Sequence, residues 1–341
     1  MSGMKDLGTQ PPDGRWERGP GPTWRPAPWR AAGPVLLGLL LAWGGRAQAQ
    51  EESVNLDDLL QSGQEFLEQN ADPDLLKALQ GVNQDQAQQL FQALQQRFQG
   101  QYVIDLAPLK QTATTLLPVL AQNQTTRPYA EWLQSQMDYL QVADTLRLTI
   151  PPPTVEPGQP PPPRPNPTPA VERKVWRQQL AQRPLPTGAA PYVSRLKPVF
   201  TAQGVPPQLV WMAEVESSFH PEARSPVGAA GLFQLMPRTA RSLGLALRPE
   251  DQRLEPEPSA RATAKYLNYL YGRFKDWPLV MAAYNAGEGN VRNLLTKHRA
   301  RTFDQIAPHL PAETQMYVPR IDATLLRREG VGLSQLQAPK A

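Results

Sequence analysis

The 341-residue chain contains no cysteine and only three histidines. The first absence excludes disulfides, thiolate metal sites, a cysteine nucleophile and an N-terminal lipidated cysteine. The second leaves little material for a zinc cage, and His220, His298 and His309 stand without metal-ligand spacing. No cluster of Lys and Arg with interleaved aromatics occurs, which argues against nucleic acid as a partner. Gly287-Glu288-Gly289-Asn290 follows no strand pattern and reads as a helix-ending turn, not as a phosphate loop. No cofactor is therefore expected, and packing alone must stabilise the fold.

Proline, by contrast, is abundant, at 39 residues. That is too frequent for one continuous globule. Eleven of the nineteen positions from 151 to 169 are proline, the pattern of a stiff polyproline II spacer without a core. The spacer divides the charge. Residues 50–150 hold five basic and thirteen acidic residues, whereas residues 151–341 hold 24 basic and 15 acidic ones. The C-terminal part thus favours an anionic partner, either a membrane surface or an acidic polymer such as cell wall.

Ala31 to Trp43 form an apolar run too short to span a bilayer comfortably. Basic residues precede it, and Ala47 and Ala49 fit the small-x-small pattern of a cleavage site. Residues 1–49 are therefore expected to be a signal peptide with an extended leader. The mature chain is expected outside the cytoplasm, in the periplasm or cell envelope, touching membrane only if the leader is uncleaved. Residues 50–150 read as a helical domain for spacing or interaction. Leu56, Leu59, Leu60, Phe66 and Leu67, then Leu75, Leu76 and Leu79, then Leu90, Phe91, Leu94 and Phe98 recur at helical spacing. Asp72-Pro73 looks like a helix start. Residues 151–170 are the linker, 171–332 a second domain and 333–341 a tail.

The chemistry lies after residue 200. Pro206-Pro207 begins a helix that Leu209 to Val215 make apolar nearly all round, hence buried. It carries Glu214 and Glu216, which point to opposite faces and so are not a paired-carboxylate site. The pattern breaks at His220-Pro221, leaving Glu216 in the last turn. A helix C-terminus and apolar surroundings both disfavour an anion there, so both raise the pKa, as a general acid requires. On these residues alone, the better reading of Glu216 is a carboxylate solvated where the helix emerges, since most glutamates are surface residues.

Three further segments accompany it. Ser225 to Pro237 form a glycine-punctuated loop entering a helix, Trp277 to Gly287 a buried helix ending at a glycine turn, and Glu313 to Val318 the start of another helix. Together, Glu216-Ser217-x-Phe-x-Pro, Gly-Ala-x-Gly-Leu-x-Gln-x-Met-Pro, Ala-Tyr-Asn-Ala-Gly and Glu-Thr-x-x-Tyr-Val resemble the soluble-lytic-transglycosylase domain of family 1 lytic transglycosylases, glycoside hydrolase family 23. Leu-Pro-x-Glu-Thr-x-x-Tyr-Val-Pro at 310–319 is most similar to the membrane-bound lytic murein transglycosylase D group. The resemblance covers roughly residues 190–330.

The resemblance implies a mainly α, goose-lysozyme-like catalytic domain with a small irregular or β element, preceded here by the helical N-terminal domain and the linker. It implies peptidoglycan glycan strands as substrate, cleaved without water to 1,6-anhydromuramyl ends. Glu216 would be the single acid and base. Ser225 would orient the muramyl sugar, Gln234 and Met236 contact the glycan, and Tyr284 with Asn285 line the site. Tyr317 would bond the catalytic carboxyl. No second acid stands out in the motifs, although two-carboxylate glycosidases need one. Met236 reads also as core, Asn285 as a cap and Tyr284 as an ordinary half-buried aromatic. The D group usually continues into LysM repeats, which do not follow here before Ala341. Wall targeting, and contact with wall machinery, is therefore expected from the acidic N-terminal region. A goose-type lysozyme-like hydrolase and a non-catalytic wall-binding scaffold are the competing readings.

Overall fold

The computed structural model describes residues 84–122, 124, 126–151 and 165–340. The leader at 1–49, the helices read from Leu56 to Leu79, the proline run at 152–164 and Ala341 lie outside the described residues. The described chain is mainly α. Helices α1 (Gln84–Gln99), α2 (Leu109–Gln122) and α3 (Arg127–Thr149) come first, with a 3-10 turn at Val103–Leu106 between α1 and α2. Then follow α4 (Pro169–Leu180) and α5 (Ala189–Ala202), and a 3-10 turn at Pro207–Trp211 that runs into α6 (Met212–Ser217). The rest comprises α7 (Pro237–Ser242), α8 (Pro256–Phe274), α9 (Trp277–Ala286), α10 (Glu288–Lys297), α11 (Phe303–Ile306) and α12 (Ala312–Glu329).

Local chemistry sets several of these starts. Thr168 accepts from the Val171 amide at 3.4 Å ahead of Pro169, and Asp276 accepts from Leu279 at 2.9 Å. A side-chain oxygen at the N-cap satisfies a donor that has no partner within the helix. Thr302 and Gln305 form a capping box for α11. The helix expected from Pro206-Pro207 splits, because its first turn winds as a 3-10 turn before α6.

Two large apolar clusters build most of the core, beside a small one of Leu235, Ala240 and Ala262. One gathers Phe200, Leu209, Val210, Phe219, Phe233, Val280 and Met281 around α6 and α9. The other joins Leu94, Phe98, Leu106, Leu133, Leu140 and Leu146 of the first three helices to Val175, Trp176 and Leu180 of α4. Helix α12 belongs to both. Its Tyr317, Val318, Ile321 and Leu325 pack in the first cluster, and its Ala312, Met316 and Ala323 in the second. Every residue from Thr314 to Leu325 is consequently buried. Several polar members of that stretch find partners inside, whereas Arg320 Nη1 has none. Gln315 donates to the carbonyls of Gln101 and Leu310, both at 2.7 Å, and Asp322 accepts from the Leu333 amide at 2.8 Å. A buried polar group without such partners would cost about 1–3 kcal/mol.

Candidate active site

The two glutamates of α6 diverge as their spacing predicts. Glu214 is buried and takes both ends of the Arg328 guanidinium, Nε and Nη2, each at 2.8 Å. This bidentate pair ties α6 to α12 and neutralises the charge. Glu216 faces the other way, half-buried, and its Oε1 accepts from the Tyr317 hydroxyl at 2.5 Å. Burial, the largest influence, pushes the Glu216 carboxyl up to about 8. The nearby Glu313 carboxylate adds to the rise, while the Tyr317 hydrogen bond and the Arg320 charge oppose it. A group so shifted holds its proton at neutral pH, as a general acid must.

Directly after α6 the chain reverses. Ser218 and Phe219 have φ of 51° and 64°, a left-handed pair that costs energy outside glycine. Phe219 is held there by burial against Trp211, edge to face at 5.6 Å. Ser217 donates bifurcated bonds to the carbonyls of Ala213 at 3.2 Å and Leu232 at 2.9 Å, fastening the glycine loop to α6. This gives the serine of the Glu-Ser motif a structural reason.

Within the loop, isolated antiparallel bridges pair Arg224 with Ala230 and Ala230 with Leu235. Ser225 accepts from the Ala229 amide at 3.0 Å, closing a turn. Gln234, at φ 45°, donates its amide to the carbonyls of Gly231 at 2.9 Å and Ala223 at 3.2 Å. Both residues use polar atoms inside the loop. Met236 is 41% exposed, so the core reading of this side chain does not hold. Buried Arg253 staples the loop from outside the motifs. It donates to the carbonyls of Gly228 at 2.6 Å and Leu235 at 2.8 Å, and grips Asp251.

Tyr284 of α9 donates to the Phe233 carbonyl at 2.7 Å, joining that helix to the loop, and its hydroxyl feels the charge of Glu216. Asn285 accepts from the Thr314 hydroxyl at 2.6 Å and hydrogen-bonds Glu313. Of the residues proposed from sequence, only Tyr317 has a direct hydrogen bond to Glu216. Tyr284 and Asn285 enclose the site through the loop and α12, whereas Ser225, Gln234 and Met236 occupy the loop itself.

A second acid is present after all. Glu313 lies in the Glu-Thr-x-x-Tyr-Val motif, one helical turn before Tyr317, and burial raises its pKa as well. The i, i+4 spacing was the available signal, since it places both side chains on one face. Tyr139, Asp138 and Arg320 around the same site carried no such signal. Two of the scattered histidines also meet, for His298 and His309 stack with centroids 3.8 Å apart. Among the described residues no group of three or more His, Cys, Asp or Glu side chains converges as a metal site requires, and no helix is long and apolar enough to cross a membrane.

Residues 200–307 match the family model described as the transglycosylase SLT domain. Over 154 residues the chain is 36% identical to the membrane-bound lytic murein transglycosylase D of Escherichia coli K12, covering 44% of this chain and 34% of that one. Over 119 residues it is 38% identical to the soluble lytic murein transglycosylase of Salmonella typhimurium, covering 32% of this chain and 18% of that one. The chain thus spans about a third or less of the length of these curated relatives. Among solved structures, the 70 kDa soluble lytic transglycosylase of Escherichia coli aligns at 19% identity and a TM-score of 0.37, covering 85% of this chain and 48% of that one.

Proposed function

We propose that the protein is a peptidoglycan lytic transglycosylase with a lysozyme-like catalytic domain. It cleaves the β-1,4 bond between N-acetylmuramic acid and N-acetylglucosamine, and Glu216 acts first as acid and then as base. The observation that carries this reading is the Glu216–Tyr317 pair. It joins a carboxyl held protonated at neutral pH to a hydroxyl 2.5 Å away, with Glu216 inside the stretch that matches the SLT domain.

The chemistry balances with one residue. Glu216 gives its proton to the glycosidic oxygen, and the bond from that oxygen to the muramyl anomeric carbon breaks. The muramyl C6 hydroxyl oxygen then attacks the anomeric carbon and closes the 1,6-anhydro ring. Its proton returns to Glu216, so the acid is regenerated and no water is consumed. Tyr317 stabilises the carboxylate between the two transfers and leaves one oxygen of Glu216 free to face the sugar. Ser225, Gln234 and exposed Met236 line the approach of the glycan. A peptidoglycan substrate calls for export from the cytoplasm, with residues 1–49 as the leader.

Glu313 gives the hydrolase reading its one specific support, because a second carboxylate could activate water. One fact weighs against it: the Glu313 carboxyl is hydrogen-bonded to Asn285, which orients it within the protein. Mass spectrometry of the muropeptides released by residues 50–341 decides between them. Products one water lighter than lysozyme products support the transglycosylase. Hydrated reducing ends overturn it in favour of a hydrolase, and no release from any wall leaves a binding scaffold.

A further inference from the structure

The helices before the proline run reach the catalytic carboxyl through one buried arginine. Arg320 is 3% exposed and follows Tyr317 by three residues on α12, so the two share a helix face. Its Nη2 donates to Asp138 Oδ2 at 2.7 Å. Its guanidinium lies over the Tyr139 ring at 4.7 Å and over the Trp176 ring at 5.4 Å. Asp138 and Tyr139 belong to α3, and Trp176 to α4. Arg183 completes the clamp by donating Nη1 to Asp138 at 2.7 Å, with its Nη2 on the other carboxylate oxygen.

We propose that Asp138 and Arg320 are positioning residues of the acid site, so that the helices of residues 84–150 form part of the catalytic centre instead of a separable targeting module. This rests on the reading of Glu216 as the acid. Three contacts beyond the arginine join the same segments. The Ala312 amide donates to the Gly100 carbonyl at 2.7 Å, Gln315 donates to Gln101, and Gln99 reaches Glu313 at 3.4 Å. The start of α12, which carries Glu313 and Tyr317, is therefore docked on the end of α1.

The electrostatic consequence has a definite sign. The groups that act on Glu216 are Tyr317, Glu313 and Arg320 of α12, and its own charge is felt by Tyr284 of α9 and Tyr139 of α3. Arg320 itself faces Asp138, Tyr139 and, across the core, Glu214. A cation near a carboxylate favours its ionised form. Arg320 therefore restrains the rise of the Glu216 pKa, and Asp138 determines how much of that cation is left uncompensated. Removing the arginine charge should raise the Glu216 pKa. Removing the aspartate charge should lower it, although both changes break the same ion pair.

The test is a titration of Glu216 by carbon NMR in residues 50–341, its carboxyl signal assigned by loss in Glu216→Gln. Arg320→Gln should move the Glu216 midpoint to higher pH and Asp138→Asn to lower pH, with Arg320→Lys close to the parent. The falling limb of the pH–rate profile on peptidoglycan should move the same way in each variant. Should Arg320→Gln fail to fold, Asp138→Asn carries the test alone, since it keeps shape and both arginines. Midpoints that stay put, or that shift in the same direction in both variants, overturn the proposal and leave the cluster purely structural. Opposite shifts without any turnover in the parent would instead sustain the coupling and sink the proposed activity.

Discussion

Tyr317 and Glu216 come from sequence positions 101 residues apart and meet at 2.5 Å, hydroxyl to carboxyl oxygen. The tyrosine stands in the fully buried stretch of α12, and the glutamate in the final turn of a short helix. Because the tyrosine hydrogen bond favours the ionised carboxyl, Tyr317→Phe should raise the Glu216 pKa above its present value of about 8. Turnover should fall by roughly 10²-fold, the low end of what a positioned proton-transfer group contributes. The pH–rate profile of the variant checks both, and a falling limb at unchanged pH counts against this role for Tyr317.

Glu216→Gln should cost roughly 10²–10⁴-fold or more in turnover, the contribution of general acid–base catalysis. It should also change stability with a definite pH dependence. The folded pKa, at about 8, lies above the ordinary 4.5. The parent therefore loses stability as pH rises from 4.5 through 8, as its buried carboxyl ionises. The variant has no such group. Its melting temperature should exceed that of the parent above pH 8 and match it near pH 4.5, as calorimetry across this range would reveal.

The Glu214–Arg328 pair is buried on both sides, with side-chain exposures of 4% and 8%. Removing one partner leaves a charge without compensation. Glu214→Leu or Arg328→Met alone should destabilise by about 3–5 kcal/mol, and the double replacement by much less. Urea unfolding of the three variants gives the comparison, and equal losses in all of them would contradict it.

Gly231 has φ +81°, and a Cβ there would lie 1.8 Å from the Arg253 carbonyl oxygen. Neither the conformation nor the space admits a side chain. Gly231→Ala should displace the loop that carries Gln234 and cost about 3 kcal/mol or more. Its signature is a joint loss of melting temperature and of activity, and a parent-like melt would refute the assignment.

A fragment lacking residues 50–164 would uncover Trp176, Val175, Leu180 and Met316, which now share a cluster with Leu94, Leu140 and Leu146. Each such side chain buries about 1.5–3 kcal/mol of transfer free energy. The fragment should bind a hydrophobic dye strongly and aggregate, as light scattering would detect. A monomeric fragment with full activity would show that the first helices are dispensable.

Much of this protein was legible in its residues. The glycine turn at Gly287 marked the end of α9, and glycines punctuated the loop that enters α7 at Pro237. The period of Leu, Trp and Val around Glu216 already implied burial, and burial is the main cause of its raised pKa. Helical spacing also puts Glu214 and Glu216 on opposite faces. These features are local, because backbone geometry and capping act within a few residues.

What the tertiary structure alone decided involves partners distant in sequence. That Arg320 pairs with Asp138, 182 residues away, follows from the packing of α12 on α4 and of α4 on α3. That Met236 is exposed and Arg253 buried depends on how one loop folds back on itself. Periodicity reports that a face is buried but not against what. The strength of a charge depends on the dielectric and counter-charges around it, and only the packed chain supplies those.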